Sequence, residues 1–328
     1  MLYKNYVLYL SIDNIEYMVL QQLEYIVAVD THRHFLRAAE SCYVTQATLS
    51  MMIKKLEEEL DTIIFDRSKQ PVVPTDVGVK IIAQARRILG ETAKMKELVS
   101  QERGELSGEL RLGIIPTIAP YLLPLIVKGF TKAYPKISLY INEFTTDNII
   151  EKLKAGQIDL GILATPLKEK TIKEQPLYYE KFFLYVNTAE KGYDKQFVMP
   201  KNIDIDRLWL LEEGHCMRSQ ILNLCELKKQ SAVHDRLHYE AGSIETLMNL
   251  VDQDYGITII PELKMLTMSE AQKKQLRYFK PPTPVREISI VTHYEYVKER
   301  MVRALHQVIT EAIPVDMLSG KKVSVVDI

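Results

Sequence analysis

The chain has 328 residues, 47% of them hydrophobic and 26% charged, with a formal net charge of -1. That length exceeds what one hydrophobic core usually supports, so more than one domain is expected, and a near-neutral chain can meet nucleic acid or membrane only through a local face. Three cysteines are too few for a disulfide scaffold, which favours a reducing compartment and makes a reactive pair worth seeking.

Residues 1–17 are rich in Tyr and Leu but carry Lys4, Asp13 and Glu16 and lack a small-residue cleavage site. No stretch reaches the roughly 18 uncharged apolar residues of a membrane span. The expectation is a cytoplasmic protein with no membrane partner. Its first 17 residues form an extension of unknown role, either an added arm or a start placed too far upstream.

From Leu23 to Leu60 apolar residues recur at helical spacing, broken only around Cys42 to Thr45. Thr45 suits the N-cap of a second short helix, which gives a helix-turn-helix layout. Ala38 and Ala39 let the two helices cross closely. Gln46, Thr48, Ser50 and Lys54 then project hydrogen-bonding groups suited to base edges and phosphates. An ordinary helical hairpin with a solvated face would read the same way. Charge does not decide, because Met18 to Gly78 holds six Lys or Arg against nine Asp or Glu. The basic footprint is confined to Lys54, Lys55, Arg67 and Lys69.

Phe65 to Thr75, with Pro71 and Pro74 flanking Val72 and Val73, reads as a small hairpin or wing. Residues 76–103 return to a long amphipathic helical pattern suited to a linker or a dimer seam. After Gly104 short apolar runs alternate with amphipathic helices, at Glu109–Ile115, Ile137–Phe144, Ile158–Ala164, Phe182–Val186, Trp209–Glu212, Gly256–Ile260 and Ile288–Thr292. This alternation predicts α/β units with mainly parallel sheets.

The segment LEEGHCMRSQILNLCEL, Leu211 to Leu227, holds the chemistry. Met217, Ile221 and Leu224 at i, i+4, i+7 start a helix close to Cys216. The helix end, Arg218 and a protonated His215 would all favour the Cys216 thiolate, with Glu212 and Glu213 opposing. The face through Cys216 continues with Gln220 and Asn223, whereas Cys225 lies on an apolar side, so Cys216 should be reachable and Cys225 buried. Nine residues of helix mean a rise of about 13.5 Å and a rotation near 180°. A bond between the two thiols would therefore require the segment to unwind. Spacing alone leaves two readings open, unrelated cysteines on one amphipathic helix or a pair joined only after refolding. Cys42 reads as a core thiol. His234 and His238 have metal-ligand spacing but no partner Cys pair, so no metal and no cofactor is expected.

LEYIVAVDTHRHFLRAAESCYVTQATLSMMIKKLEEEL followed by FDRSKQPVVPTDVG resembles the N-terminal winged helix-turn-helix of LysR-type transcriptional regulators. Ala38, Ala39, Gln46, Ser50, Leu56, Glu57, Leu60, Phe65, Arg67, Thr75 and Gly78 sit where that pattern has them. Ala47 stands where the family usually has proline. EEGHCMRSQILNLC, GIIPTIAPYLLP, SIETLMNLV and GITIIP extend the resemblance along the chain to the OxyR-type, hydrogen-peroxide-sensing branch.

The resemblance implies an α/β fold with an all-α winged helix-turn-helix at residues 18–78 and a linker or dimerisation helix at 79–105. A two-subdomain, periplasmic-binding-protein-like regulatory domain follows at 106–328. Subdomain I covers about 106–180 and 284–315 and subdomain II about 181–283, with the chain crossing between them near 180 and 290 over a cleft. It implies Cys216 as peroxidatic and Cys225 as resolving thiol, with His215 and Arg218 matching. Thr117 and Thr146 would position peroxide, Thr145 being the alternative to Thr146. His293 stands where the family has an arginine.

Implied contacts with double-stranded operator DNA run through Gln46, Thr48, Ser50, Lys54, Arg67 and Lys69. The implied partners are RNA polymerase, a glutaredoxin or thioredoxin reductant, and further copies of the chain as dimer and tetramer, in control of antioxidant genes. A regulator answering a small-molecule effector in the interdomain cleft is the alternative. A thiol peroxidase that turns over has no use for the N-terminal unit, so the chain is not expected to be an enzyme.

Overall fold

A computed structural model describes residues 18–102, 106–187, 195–225, 241–253, 256–294, 298–319 and 324–326. The chain divides into two compact units, Met1–Val99 and Ser100–Ile328.

In the first unit α1 (Leu20–His32), α2 (Phe35–Ser41) and α3 (Gln46–Glu59) enclose an apolar core of Leu23, Ile26, Val29, Ala38, Ala39, Leu49, Ile53 and Leu56. Thr45 caps α3, its hydroxyl accepting from the Thr48 N–H at 3.2 Å. Only two residue pairs of the expected hairpin form a ladder, β1 (Phe65–Asp66) against β2 (Val73–Pro74). Proline has no N–H to extend it. The strand pair is tied down by Glu57 at the end of α3, which accepts from Ile64 N at 2.8 Å and Phe65 N at 3.2 Å.

Helix α4 (Asp76–Glu102) then begins on Thr75, whose hydroxyl donates to Ile63 O at 2.7 Å and accepts from Gly78 N at 2.9 Å. Gly78 is required there, because a Cβ would lie 2.0 Å from Ile64 O. Arg86 of α4 reaches back to Asp30 of α1 at 2.9 Å.

The second unit opens with β3 (Gly108–Ile114), α5 (Ala119–Ala133), β4 (Ile137–Glu143), α6 (Thr146–Lys154) and β5 (Leu160–Thr165). These strands pair in parallel in the order β4, β3, β5, as alternating apolar runs and helices require. β6 (Ile172–Val186) is followed by the short β7 (Phe197–Val198) and β8 (Leu208–Trp209), then α7 (Cys216–Leu224), α8 (Ile244–Asp252), β9 (Ile257–Pro261), α9 (Glu270–Lys273) and β10 (Leu276–Phe279). β11 (Pro284–His293), α10 (Glu299–Ala312) and β12 (Ser324–Val325) complete the unit.

The expectation of mainly parallel sheets is corrected to a mixed sheet. β6 and β11 are long and antiparallel to each other, and β6 exchanges β11 for β9 as partner between Lys181 and Phe182. Parallel pairing is thus confined to the βα repeats and short edge pairings, and the two long strands carry the chain out and back. The first half of β6 escapes the apolar pattern because Lys173, Glu174 and Pro176 interrupt it, and the ladder slips between Ile288, opposite Tyr178, and Ser289, opposite Pro176, skipping Leu177.

Candidate functional site

On the first unit Gln46 and Lys54 are exposed on α3, while Thr48 and Ser50 are half-buried. Lys54 lies 3.5 Å from Glu58 and Lys69 3.7 Å from Asp66, exposed pairs that leave both ammonium groups available. Arg67 is more committed than the sequence suggested. It donates to Glu57 Oε2 at 2.8 Å and to Ser50 Oγ at 3.3 Å, and its guanidinium sits 5.2 Å from the Phe35 ring centroid. Arg67 and Ser50 therefore also fasten the strand pair to α3. Sequence reasoning passed over Tyr43, 96% exposed in a left-handed turn conformation, and Met51, 63% exposed on α3. Cys42 is half-buried beside this core, and burial raises its thiol pKa.

In the second unit β8 leads into a loop where Gly214 takes φ +92°, a left-handed conformation that glycine adopts without strain. His215 follows as N-cap of α7, so Cys216 is the first helical residue. Cys225 is the C-cap, which puts the two unbonded thiols at opposite ends of one nine-residue helix.

The expected exposure of Cys216 is corrected, since both thiols are buried. The face carrying Cys216 turns inward. Gln220, one turn on and fully buried, donates to Val326 O at 3.1 Å, and Val326 N in turn donates to Val285 O beside β12. Burial raises the Cys216 pKa despite its place at a helix N-terminus. The Arg286 guanidinium, the Thr146 hydroxyl and the N–H groups of Ala164 and Met217 offset this in part. Burial alone pushes Cys225 up to about 12.

The cation beside Cys216 differs from the one expected. Arg218 turns away and donates to Leu211 O at 2.8 Å, pinning the loop ahead of the helix. His215 is buried with Nε2 3.6 Å from Glu212 Oε1, and Glu213 is exposed. Arg286, near the start of β11, supplies the positive charge. His293, the position flagged as lacking an arginine, lies at the far end of that strand.

Arg286 is fully buried and completely held. Its Nε and Nη2 lie 2.7 Å from Glu180 Oε1, Nη1 donates to Thr117 Oγ1 at 3.0 Å, and Nη2 donates to Thr117 O at 3.1 Å. Glu180 Oε2 accepts from Leu263 N at 3.2 Å. Thr117 from the turn just ahead of α5 and Thr146 from the start of α6 are both buried. Thr146, not Thr145, is the threonine beside the thiol. Its hydroxyl has no other partner among the described residues, while Thr145 packs its methyl near Gly214.

Arg286 and Glu180 were the residues missed. The available signal was a pair of adjacent opposite charges inside each of the apolar runs PVREISIV and LYYEKFFLYV. His234 and His238 lie outside the described residues. Among the described residues no cluster of three metal-binding side chains occurs, and no helix is long and apolar enough to cross a membrane.

A buried thiol with a fixed guanidinium and two threonine hydroxyls can hold and polarise a small oxygen-containing molecule at sulfur. Two family models match the chain: bacterial regulatory helix-turn-helix protein, lysR family, over residues 20–79, and LysR substrate binding domain over residues 103–314. The hydrogen peroxide-inducible genes activator of Haemophilus influenzae is 36% identical over 276 residues, covering 84% of this chain and 90% of that protein. A full-length OxyR variant from Pseudomonas aeruginosa superposes with a TM-score of 0.78 at 32% identity, covering 90% of this chain and 99% of that one. A hydrogen-peroxide-bound OxyR mutant from Corynebacterium glutamicum gives a TM-score of 0.56 at 27% identity, covering 90% and 93%. The helix-turn-helix and the mixed α/β unit agree with these likenesses, and the chain belongs to the LysR family of transcriptional regulators, on its OxyR-type branch.

Proposed function

We propose that this chain is a cytoplasmic DNA-binding transcription regulator that responds to hydrogen peroxide through a reversible Cys216–Cys225 disulfide. The observation that carries the reading is the pair of unbonded thiols at the two ends of α7, with Arg286, Thr117 and Thr146 gathered around the first. The Cys216 thiolate attacks one peroxide oxygen, the O–O bond breaks, and the departing hydroxide takes up a proton as water, leaving a sulfenic acid. The Cys225 thiolate then attacks that sulfur, the S–O bond breaks and a second water leaves. Two thiols are oxidised to one disulfide and one peroxide is reduced to two waters. A cytosolic dithiol of the glutaredoxin or thioredoxin class supplies the two electrons that reset the pair.

A disulfide needs Cα atoms roughly 4.4–6.8 Å apart, which the ends of a wound helix cannot provide. Oxidation therefore unwinds α7 and releases Met217 and Ile221 from the core, a packing change suited to switching a regulator. On the DNA side α3 enters the major groove with Gln46, Thr48 and Ser50 toward base edges and Lys54, Arg67 and Lys69 toward phosphates. α4 pairs two chains, the α/β units associate into a tetramer, and RNA polymerase is the downstream partner. Peroxide is consumed once per switching event, so the chain acts as a sensor and not as an enzyme.

The test is transcription in vitro from a selected DNA site, with and without stoichiometric peroxide, for wild type and Cys216→Ser. Wild type should respond and the variant should not. A variant that responds like wild type would overturn the thiol mechanism.

A further inference from the structure

We propose that Met51, with Ala47 one turn before it, reads the C5 methyl group of thymine in the major groove of bound DNA, a base preference that the hydrogen-bonding groups of α3 do not supply. The inference rests on the reading of α3 as the helix that enters the groove and names one chemical feature that it recognises there.

Successive residues of a helix turn by roughly 100°, which divides α3 into two contrasting faces. Leu49, Ile53 and Leu56 are fully buried in the core shared with α1 and α2. The face about 180° away carries Ala47, Met51 and Glu58, with Lys54 beside them, and all four are exposed. Gln46 and Ser50 lie on its flank, nearer the core. Of the large apolar side chains of α3, Met51 alone is exposed, at 63%, whereas the adjacent Met52 packs against the core. The outermost line of the helix is thus apolar in its first two turns and charged in its last two, where Lys54 and Glu58 lie 3.5 Å apart.

A helix-turn-helix sets the N-terminal residues of its second helix against base edges. The line farthest from the core reaches deepest into the groove. Donors and acceptors fill the base edges there, and the apolar group among them is the C5 methyl of thymine. A thioether pressed on any other edge would strip water from a polar group and put no hydrogen bond in its place. Against a methyl it buries apolar surface, and the unbranched methionine chain adapts its shape to do so. Ala47 offers a second methyl one turn earlier and keeps the helix slim where it meets the groove floor. Lys54 and Lys55 follow, both exposed, so this apolar end continues into groups suited to phosphate.

The experiment uses the full-length protein, reduced and after peroxide, with a DNA site selected from a random duplex library. Each thymine of that site is replaced in turn by deoxyuridine, which removes the C5 methyl and nothing else. Affinity is followed by fluorescence anisotropy for wild type, Met51→Ala and Met51→Leu. At one or two thymines in each half-site the replacement should weaken wild-type binding by about fourfold, the effect of burying one methyl group. Met51→Ala should bring that ratio below about twofold, and Met51→Leu should keep it. Both proteins meet the same two DNA molecules, so any change in DNA stiffness cancels in the comparison. Because Met51 is exposed, Met51→Ala should unfold at the wild-type midpoint.

A wild type indifferent to every deoxyuridine, or a ratio that persists in Met51→Ala, would overturn the proposal. So would a selected site without thymine. A Met51→Ala chain that changes its oligomeric state in light scattering and loses affinity for all DNA alike would assign this face to a second copy, which also overturns it. A wild type that selects no site at all would reject the DNA-facing role of α3 and this inference with it. A site bound tightly but with indifferent thymines would reject this inference alone.

Discussion

The two units place their polar side chains in opposite ways. Among the described residues of the unit built on α1 to α4 the interior is apolar apart from Gln22 and Asp30, which serve a helix start and an ion pair to Arg86. Its candidate DNA-facing groups lie outside that core on α3 and the strand pair. In the α/β unit Thr117, Thr146, Glu180, His215, Cys216 and Arg286 are all buried. A surface that meets a large polyanion can be built from residues that cost the fold little. A site that meets one small molecule at sulfur uses residues the fold cannot lose.

Three substitutions would break or sharpen that contrast. The largest effect is expected for Arg286→Ala, which strands Glu180 as an unpaired buried carboxylate and should cost about 3–5 kcal/mol. It should also abolish fast oxidation of Cys216, read by denaturant unfolding and by thiol trapping. An unfolding midpoint close to wild type would show that site and core are separable in this unit after all.

Gly78→Ala comes next. Its Cβ would press on Ile64 O, which should cost about 1–3 kcal/mol in thermal unfolding and weaken DNA binding. Disulfide formation should proceed unchanged. Lys54→Ala should be smallest in stability, within about 0.5 kcal/mol. It should weaken DNA binding evenly across sequences and make the salt dependence shallower by about one counterion, measured by titration at several salt concentrations. If Lys54→Ala unfolds the chain as readily as Arg286→Ala, the contrast between the units fails.

How much of each unit the sequence reveals follows from the same difference. Thr45 as cap, Ala38 and Ala39 at the helix crossing, and α3 itself are local patterns, and local chemistry forms them. The βα repeats and the start of α7 at Cys216 are legible for the same reason. What escapes the sequence depends on distant partners. Arg286 meets Glu180 across 106 positions and Thr117 across 169, distances at which periodicity carries no information. Arg218 looks like the natural partner of Cys216 because it is two residues away, yet one helical turn directs it to Leu211 O instead. The inward turn of Cys216 and Gln220 depends on Val326, more than a hundred residues downstream, covering what would otherwise be a solvent face.

The nine residues of α7 are fewer than a helix needs to persist in water by itself, and no side chain caps its first turn. Its winding is therefore supplied by the neighbours that bury Cys216, Met217, Gln220 and Ile221. Once sulfur chemistry draws the first of these out of its seat, the rest lose their reason to stay wound, so intermediate shapes have little to stabilise them. Under the proposed mechanism each molecule is then either wound or cross-linked. A population of such molecules grades its answer to a rising signal by how many have flipped, as relays do, and not by how far each has bent.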